Sequence, residues 1–161
     1  MNESADYKVV RNSVVGSELT EEKAKLLAAK LGVRHLKDGE LLVEEGGIDS
    51  TLYILATGGL SVTIKDTNGA VKAVYAMKEG ECAGVRAFID QTPRKGTLHA
   101  TGNATVYTLT PGDFESLLDV QPRLAFMMMR SLFRVTNSNL SRMNKEHKEL
   151  ENYVTKSMGR Y

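Results

Sequence analysis

The sequence predicts a mainly β fold with flanking helices: an antiparallel β-roll or jelly roll, an N-terminal helix before it and a long C-terminal helix after it. Three observations carry this reading. Short β-type runs separated by glycine turns fill residues 33–110, a capped amphipathic helix precedes them, and an apolar heptad pattern follows them. The expected organisation is an arm over residues 1–17, the roll with its flanking helices over 18–121, and a long helix over 122–158 that forms a dimer seam.

The arm has no firm periodicity, but Val9, Val10, Val14 and Val15 could pack part of it. Thr20 is a good helix N-cap, and Glu21 and Glu22 suit the positive end of the helix dipole. Ala24, Leu27, Ala28 and Leu31 then share one face, and Gly32 is a plausible stop. The β-type runs are ELLVEE, TLYILAT, LSVTIKD, AVKAVYAM, GTLHAT and ATVYTLT, with breaks at DG 38–39, GG 46–47, GG 58–59, NG 68–69 and EG 79–80. Asn68-Gly69 is the strongest hairpin signal, because both residues tolerate positive φ. Many short strands at this spacing indicate an antiparallel roll or barrel.

Past Pro111-Gly112, Asp113 can cap a short helix, FESLLDV, and Pro122 opens a longer one. In that long helix Phe126, Phe133, Leu140, His147 and Val154 occupy one heptad position, and Met129, Thr136, Met143, Leu150 and Ser157 the other. Packing on the roll explains the first turns. Beyond about Leu140 the helix overruns a small roll at roughly 1.5 Å per residue, so a homodimer seam is expected there. His147 reads as a register residue in that seam, and the methionines at 127–129 as core and seam.

Composition limits the functions. The chain has 161 residues, 42% of them hydrophobic, which suffices for a core without disulfides or metals. With 21 basic and 20 acidic residues there is no general electrostatic case for nucleic acid. Cys82 stands alone and reads as a small apolar packing residue, while three scattered histidines lack metal-ligand spacing, so no cofactor is expected. No apolar run reaches the about 18–20 residues that span a bilayer, and the polar N-terminus lacks a secretory signal's apolar segment. A cytoplasmic chain with no membrane contact is the expectation. No nucleophile–base pair, paired-acid motif or metal cluster points to an enzyme.

The order of these segments resembles the cyclic-nucleotide-binding domain family over roughly residues 19–145. KDGELLVEEG (37–46), LYILATGGLSVTI (52–64), MKEGECAG (77–84), TPR (92–94) and LTPGDFESLLDVQP (109–122) stand in the family's order and spacing. The resemblance implies a phosphate-binding cassette within GECAGVRAFIDQTPRKGT (80–97). A short helix after a glycine directs its first N–H groups at a cyclic phosphate, and an arginine adds a charge-assisted contact. On this mapping Gly84 is the glycine, Val85, Arg86 and Ala87 begin the short helix, and Arg94 is the phosphate arginine.

Three departures matter. Val85 stands where the family has a glutamate that binds the ribose 2′-hydroxyl, Arg86 replaces an apolar residue, and Lys95-Gly96 replaces a small pair. Lys95 could add a cation beside the phosphate or swing into solvent. A hydrogen bond to a charged group is worth about 1.5–3 kcal/mol, or roughly 10- to 150-fold in affinity. Binding should therefore be weakened, with the phosphate half of the site retained. In catabolite-activator-type relatives a Thr-Ser pair on the long helix contacts the base across the dimer. Ungapped counting from Pro122 puts those positions at Asn139-Leu140, which leaves Asn139 and Thr136 as base-side candidates beside their plain reading as polar seam residues. Arg94 also has a plainer reading, as a cation paired with Glu81 or Asp90.

The expected function is a stand-alone regulatory or sensor module. It would bind cyclic AMP, cyclic GMP or another small anion and signal through its C-terminal helix to a protein partner. The alternative is a degenerate domain that binds no nucleotide and serves as a dimeric interaction scaffold. Residues 145–161 are too short for a helix-turn-helix domain, so no DNA binding by this chain alone is expected.

Overall fold

The computed structural model describes residues 3–159. The first two residues of the predicted arm and the last two of the chain lie outside the described residues. The elements are α1 (Tyr7–Asn12), α2 (Glu21–Ala28), β1 (Gly32–Leu36), β2 (Leu41–Val43), β3 (Leu52–Lys65), β4 (Val71–Met77), β5 (Cys82–Ala83), α3 (Val85–Asp90), β6 (Thr97–Leu109), α4 (Pro111–Val120) and α5 (Pro122–Met158).

The expected arm contains a short helix, α1. Asp6 caps α1 by accepting from the Lys8 N–H, and Val10 and Val15 are fully buried. Thr20 caps α2 through the Lys23 N–H, as expected. Gly32 does not end that helix. It opens β1, a strand absent from the sequence reading, where an added Cβ would lie 2.5 Å from the Thr108 hydroxyl oxygen. Glu18 ties this N-terminal unit to α5 by accepting from Arg130 Nη2 at 2.6 Å and by pairing with Arg134.

All strand pairs are antiparallel, in the order β1-β6-β3-β4, with β2 also on β6 and β5 also on β3. The sheet rolls but stays open, with β1 and β4 at its edges, so it is no closed barrel. Two expected pairs of strands are single long ones. TLYILAT and LSVTIKD merge into β3, and GTLHAT and ATVYTLT merge into β6. Gly58-Gly59 is therefore not a turn. It is a bulged bend inside β3, where the register against β6 shifts. Gly58 has φ 86, and a Cβ there would come within 2.3 Å of the Asn103 carbonyl oxygen. The 68–69 hairpin does join β3 to β4. Only Gly69 takes positive φ, while the Asp66 carboxylate accepts from the Asn68 and Ala70 N–H groups.

β3 explains how the core is divided. Leu52, Ile54 and Ala56 face α1, α2, α4 and the start of α5, whereas Tyr53 and Leu55 face the interior of the roll. Both faces are covered, so LYILA reads as one apolar run instead of alternating. Thr110 caps α4 with its hydroxyl, and Asp113 sits three residues in instead of capping. Pro122 opens α5, a helix of 37 residues and about 55 Å. Leu124, Ala125, Met128 and Leu132 are buried on the core, and every residue from 136 to 159 is exposed.

The bend in β3 gives a stability prediction. Gly58→Ala should destabilise by more than the about 1–2 kcal/mol of a left-handed alanine, because the clash is with backbone. Gly112→Ala, in α4 with open space around it, should be neutral or slightly stabilising. Urea unfolding of both variants measures the difference.

Candidate functional site

The cassette is built from short-range geometry upward. β5 leads into Gly84, whose φ of 86 turns the chain into α3. Glycine is required there twice over, because a Cβ would also lie 2.1 Å from Arg94 Nη1. Ala87 and Phe88 are buried, and Phe88 packs edge-on against Phe114 of α4 with centroids 5.5 Å apart, which fixes α3 to the core. Gln91 closes α3 with φ 53, and its N–H donates to the Ala87 carbonyl at 2.9 Å.

The chain then reaches Arg94, which is locked to the Gly46-Gly47 turn. Its N–H donates to the Gly47 carbonyl and its carbonyl accepts from the Gly46 N–H, both at 2.8 Å. The side chain is buried, with the whole residue 5% exposed. Nη2 donates to Asp49 Oδ2 at 3.0 Å and to the Thr51 carbonyl at 2.6 Å, and the guanidinium lies 5.4 Å from the Tyr53 ring centroid. The predicted alternatives, Glu81 and Asp90, are not its partners. Asp49 in turn accepts from the Tyr53 hydroxyl at 2.6 Å and the Thr51 hydroxyl at 2.7 Å. Burial pushes the Asp49 carboxyl up, but hydrogen bonds from Tyr53, Thr51 and Arg94 together outweigh it and hold the group below its ordinary value. Burial, then the bond to Asp49, pushes the Tyr53 hydroxyl up to about 12.

Arg94 Nε and Nη1 are buried without partners, leaving three of the five guanidinium N–H bonds unsatisfied. Arg94 also lines a cavity of about 590 Å³ between the roll and α5. Gly84, Val85, Arg86, Ala87 and Lys95 line the same cavity, as do Thr136 and Asn139 from α5. The fold therefore brings all eight sequence-predicted residues together. They are not equivalent: Ala87 is buried, Val85 is half-buried, and Arg86 and Lys95 are exposed. The Thr136 hydroxyl donates to the Leu132 carbonyl at 3.0 Å.

Sequence reasoning missed the support of this site. Asp49, Thr51 and Tyr53 hold Arg94, and the local signal was a D-x-T pair just after the glycine turn. It also missed the junction with α5. Arg142 lies 5.0 Å from the Tyr75 ring centroid, and the Tyr75 hydroxyl donates to Glu81 at 2.6 Å. That bond to Glu81, with burial behind it, raises the Tyr75 hydroxyl above its ordinary value. Cys82 lines the same cavity, and burial pushes its thiol up to about 12, which fits a packing residue.

An open antiparallel roll, a glycine-led short helix, a buried arginine and a long helix together enclose one cavity. The chain matches the family model described as the cyclic nucleotide-binding domain over residues 33–121, and it belongs to that family. It is 34% identical over 82 residues to a cGMP-dependent protein kinase of Eimeria tenella, covering 51% of this chain and 8% of that protein. It is 29% identical over 84 residues to a cAMP-dependent protein kinase regulatory subunit of Mucor circinelloides f. lusitanicus, covering 52% of this chain and 19% of that protein. The chain thus spans under a fifth of the length of either relative. The fold matches a solved cyclic nucleotide-binding domain from Methylobacillus flagellatus with a TM-score of 0.82 at 16% identity, over 91% of this chain and 86% of that one.

The Asp49–Arg94 pair predicts an acid dependence. The folded carboxyl sits below its ordinary value of 3.8, so the unfolded chain takes up the proton first as the pH falls. Its contribution is present above pH 3.8 and is lost as the pH drops through the lower folded value. Asp49→Asn should be less stable than wild type at pH 7 and flatter in stability below pH 3.8. The effect should be modest, because the Asp49 side chain is 45% exposed and solvent screens the pair. Urea unfolding across the pH range checks it.

Proposed function

We propose that this domain is a regulatory sensor that binds a cyclic nucleotide, cyclic AMP or cyclic GMP, and passes occupancy on through α5. The observation that carries the reading is Arg94. A buried guanidinium with unpartnered Nε and Nη1 faces a cavity of about 590 Å³ in a domain of this family. Leaving such donors unsatisfied costs about 1–3 kcal/mol per group, and a phosphate oxygen relieves that cost. Arg86 and Lys95 add positive charge at the rim, and Thr136 and Asn139 offer polar atoms to the base. Val85 offers nothing to the ribose 2′-hydroxyl, so affinity is reduced.

Output runs through α5 because one helix serves three surfaces. Its first turns are core, Val135, Leu140, Arg142 and Met143 line the cavity, and Phe126, Phe133, Leu140, Met143, Leu150 and Val154 form an exposed apolar seam. Leu140 and Met143 belong to both cavity and seam, so occupancy and homodimerisation are linked. A protein partner would read the helix position. His147 stays a register residue, beside Glu151 at 3.1 Å. A second reading has one observation in its favour: Asp49 and Thr51 already occupy Nη2 of Arg94. On that reading the domain binds no nucleotide and serves as a dimeric interaction scaffold.

Isothermal titration with cyclic AMP and cyclic GMP tests the ligand. Arg94→Ala should weaken binding by at least roughly tenfold, and Val85→Glu should strengthen it by roughly 10- to 150-fold. No heat from either nucleotide at millimolar concentration sinks the nucleotide reading, and a dimer that persists without ligand would then favour the scaffold. For the seam, sedimentation equilibrium should find a dimer that Phe133→Glu dissociates. Phe133 is 65% exposed in the single chain, so the substitution leaves the fold intact. A wild type that stays monomeric at high micromolar concentration removes the seam.

A further inference from the structure

The walls of the cavity say more about the ligand than its cation does. Lining it with Arg94 are Val62, Met77, Val85, Leu98, Leu140 and Met143, drawn from β3, β4, α3, β6 and α5. Among the described residues no aspartate or glutamate lines the cavity, whereas Arg86, Lys95 and Arg142 do. Of the neutral polar side chains, Asn139 stays exposed on α5, and the hydroxyl protons of Tyr75 and Thr136 are committed. The Tyr75 hydroxyl donates to Glu81, and the Thr136 hydroxyl donates to the Leu132 carbonyl. The cavity is thus an apolar chamber with one buried, incompletely paired cation at its base and further cations at its rim.

A sugar is a poor fit to such walls. Its hydroxyls would leave water to face valine, leucine and methionine, and a buried hydroxyl without a partner is unfavourable. An apolar body gains from the same contacts, and the volume lies in the range that takes a drug-sized molecule. We propose that the preferred ligand is an amphipathic anion: one anionic headgroup held by Arg94 Nε and Nη1, on a compact apolar body without sugar hydroxyls. The proposal rests on the reading of this cavity as the ligand site. Cyclic nucleotides then enter it as weaker ligands that share the headgroup.

The test uses the full chain and isothermal titration with four probes: 1-naphthyl phosphate, glucose 6-phosphate, 1-naphthol and cyclic AMP. 1-Naphthyl phosphate should bind at least tenfold tighter than cyclic AMP. Glucose 6-phosphate, with the same headgroup on a polar body, and 1-naphthol, with the body but no charge, should each bind at least tenfold more weakly than 1-naphthyl phosphate. Arg94→Gln should lose 1-naphthyl phosphate at least tenfold. Val85→Glu, at a half-buried position on the wall, should reverse the order of 1-naphthyl phosphate and cyclic AMP. Cyclic AMP binding as tightly as 1-naphthyl phosphate to wild type overturns the proposal and leaves the nucleotide sensor standing. Tight 1-naphthyl phosphate with no cyclic AMP binding supports the proposal and ends the nucleotide reading. Binding of 1-naphthyl phosphate that ignores both variants places it outside this cavity and overturns the proposal, as does no binding by any probe.

Discussion

A guanidinium with almost no exposed surface is held from one side only, and much of the domain is arranged around that fact. The backbone of Arg94 is bonded in both directions to the Gly46-Gly47 turn, and Nη2 is bonded to Asp49 and Thr51 just beyond it. Tyr53 and Thr51 anchor Asp49, so the pair is set by the start of β3, itself central in the sheet. Burying a charge needs pairing and hydrogen bonding together. Here the pairing is met by Asp49, and the hydrogen bonding is incomplete at Nε and Nη1. Gly84 follows from the same constraint, since a side chain there would displace Nη1.

The second constraint is the length of α5. Its first turns complete the core beside β3, β6 and α4, and Glu18 clamps it through Arg130 and Arg134. Past Val135 the helix leaves that support and runs beside the cavity with Arg142 stacked on Tyr75. Tyr75 is on edge strand β4 and is bonded to Glu81 just ahead of the cassette. The chain Arg142–Tyr75–Glu81 is therefore the polar joint between the helix and the roll. It lies just past the point where the packed part of α5 gives way to the exposed part.

Local chemistry made part of this legible. Thr20, the Asn68-Gly69 hairpin and Pro122 follow from capping, turn and helix rules that act over a few residues, while the cassette was legible only through the family resemblance. What was lost depended on distant pairing. Gly58-Gly59 has the composition of a turn, and only the register against β6 makes it a bend within a strand. β1 was missed because Arg34 and His35 interrupt its apolar character on an edge. The Arg94 partner was sought nearby, at Glu81 and Asp90, while Asp49 lies 45 residues away in sequence. The residues of the candidate site were readable because the family resemblance maps onto one cassette and one helix. Their support was not, because it comes from another strand.

A ligand can move α5 only by as much as it binds one helix position better than another. Arg94 belongs to the roll, and an anion bound to it alone would bind equally well wherever the helix lies. Leverage must come from the groups that α5 itself brings to the cavity, chiefly Val135, Leu140 and Met143, with Arg142 at the rim. Fully burying one such apolar side chain is worth about 1.5–3 kcal/mol. Two of them would span most of the roughly 5.5 kcal/mol that takes a two-state population from one extreme to the other. On the proposed reading the headgroup would therefore decide whether a molecule stays in the cavity, and its body whether the helix responds. With Val85, Leu140 and Met143 all lining the cavity, an apolar body is the one that would couple the two.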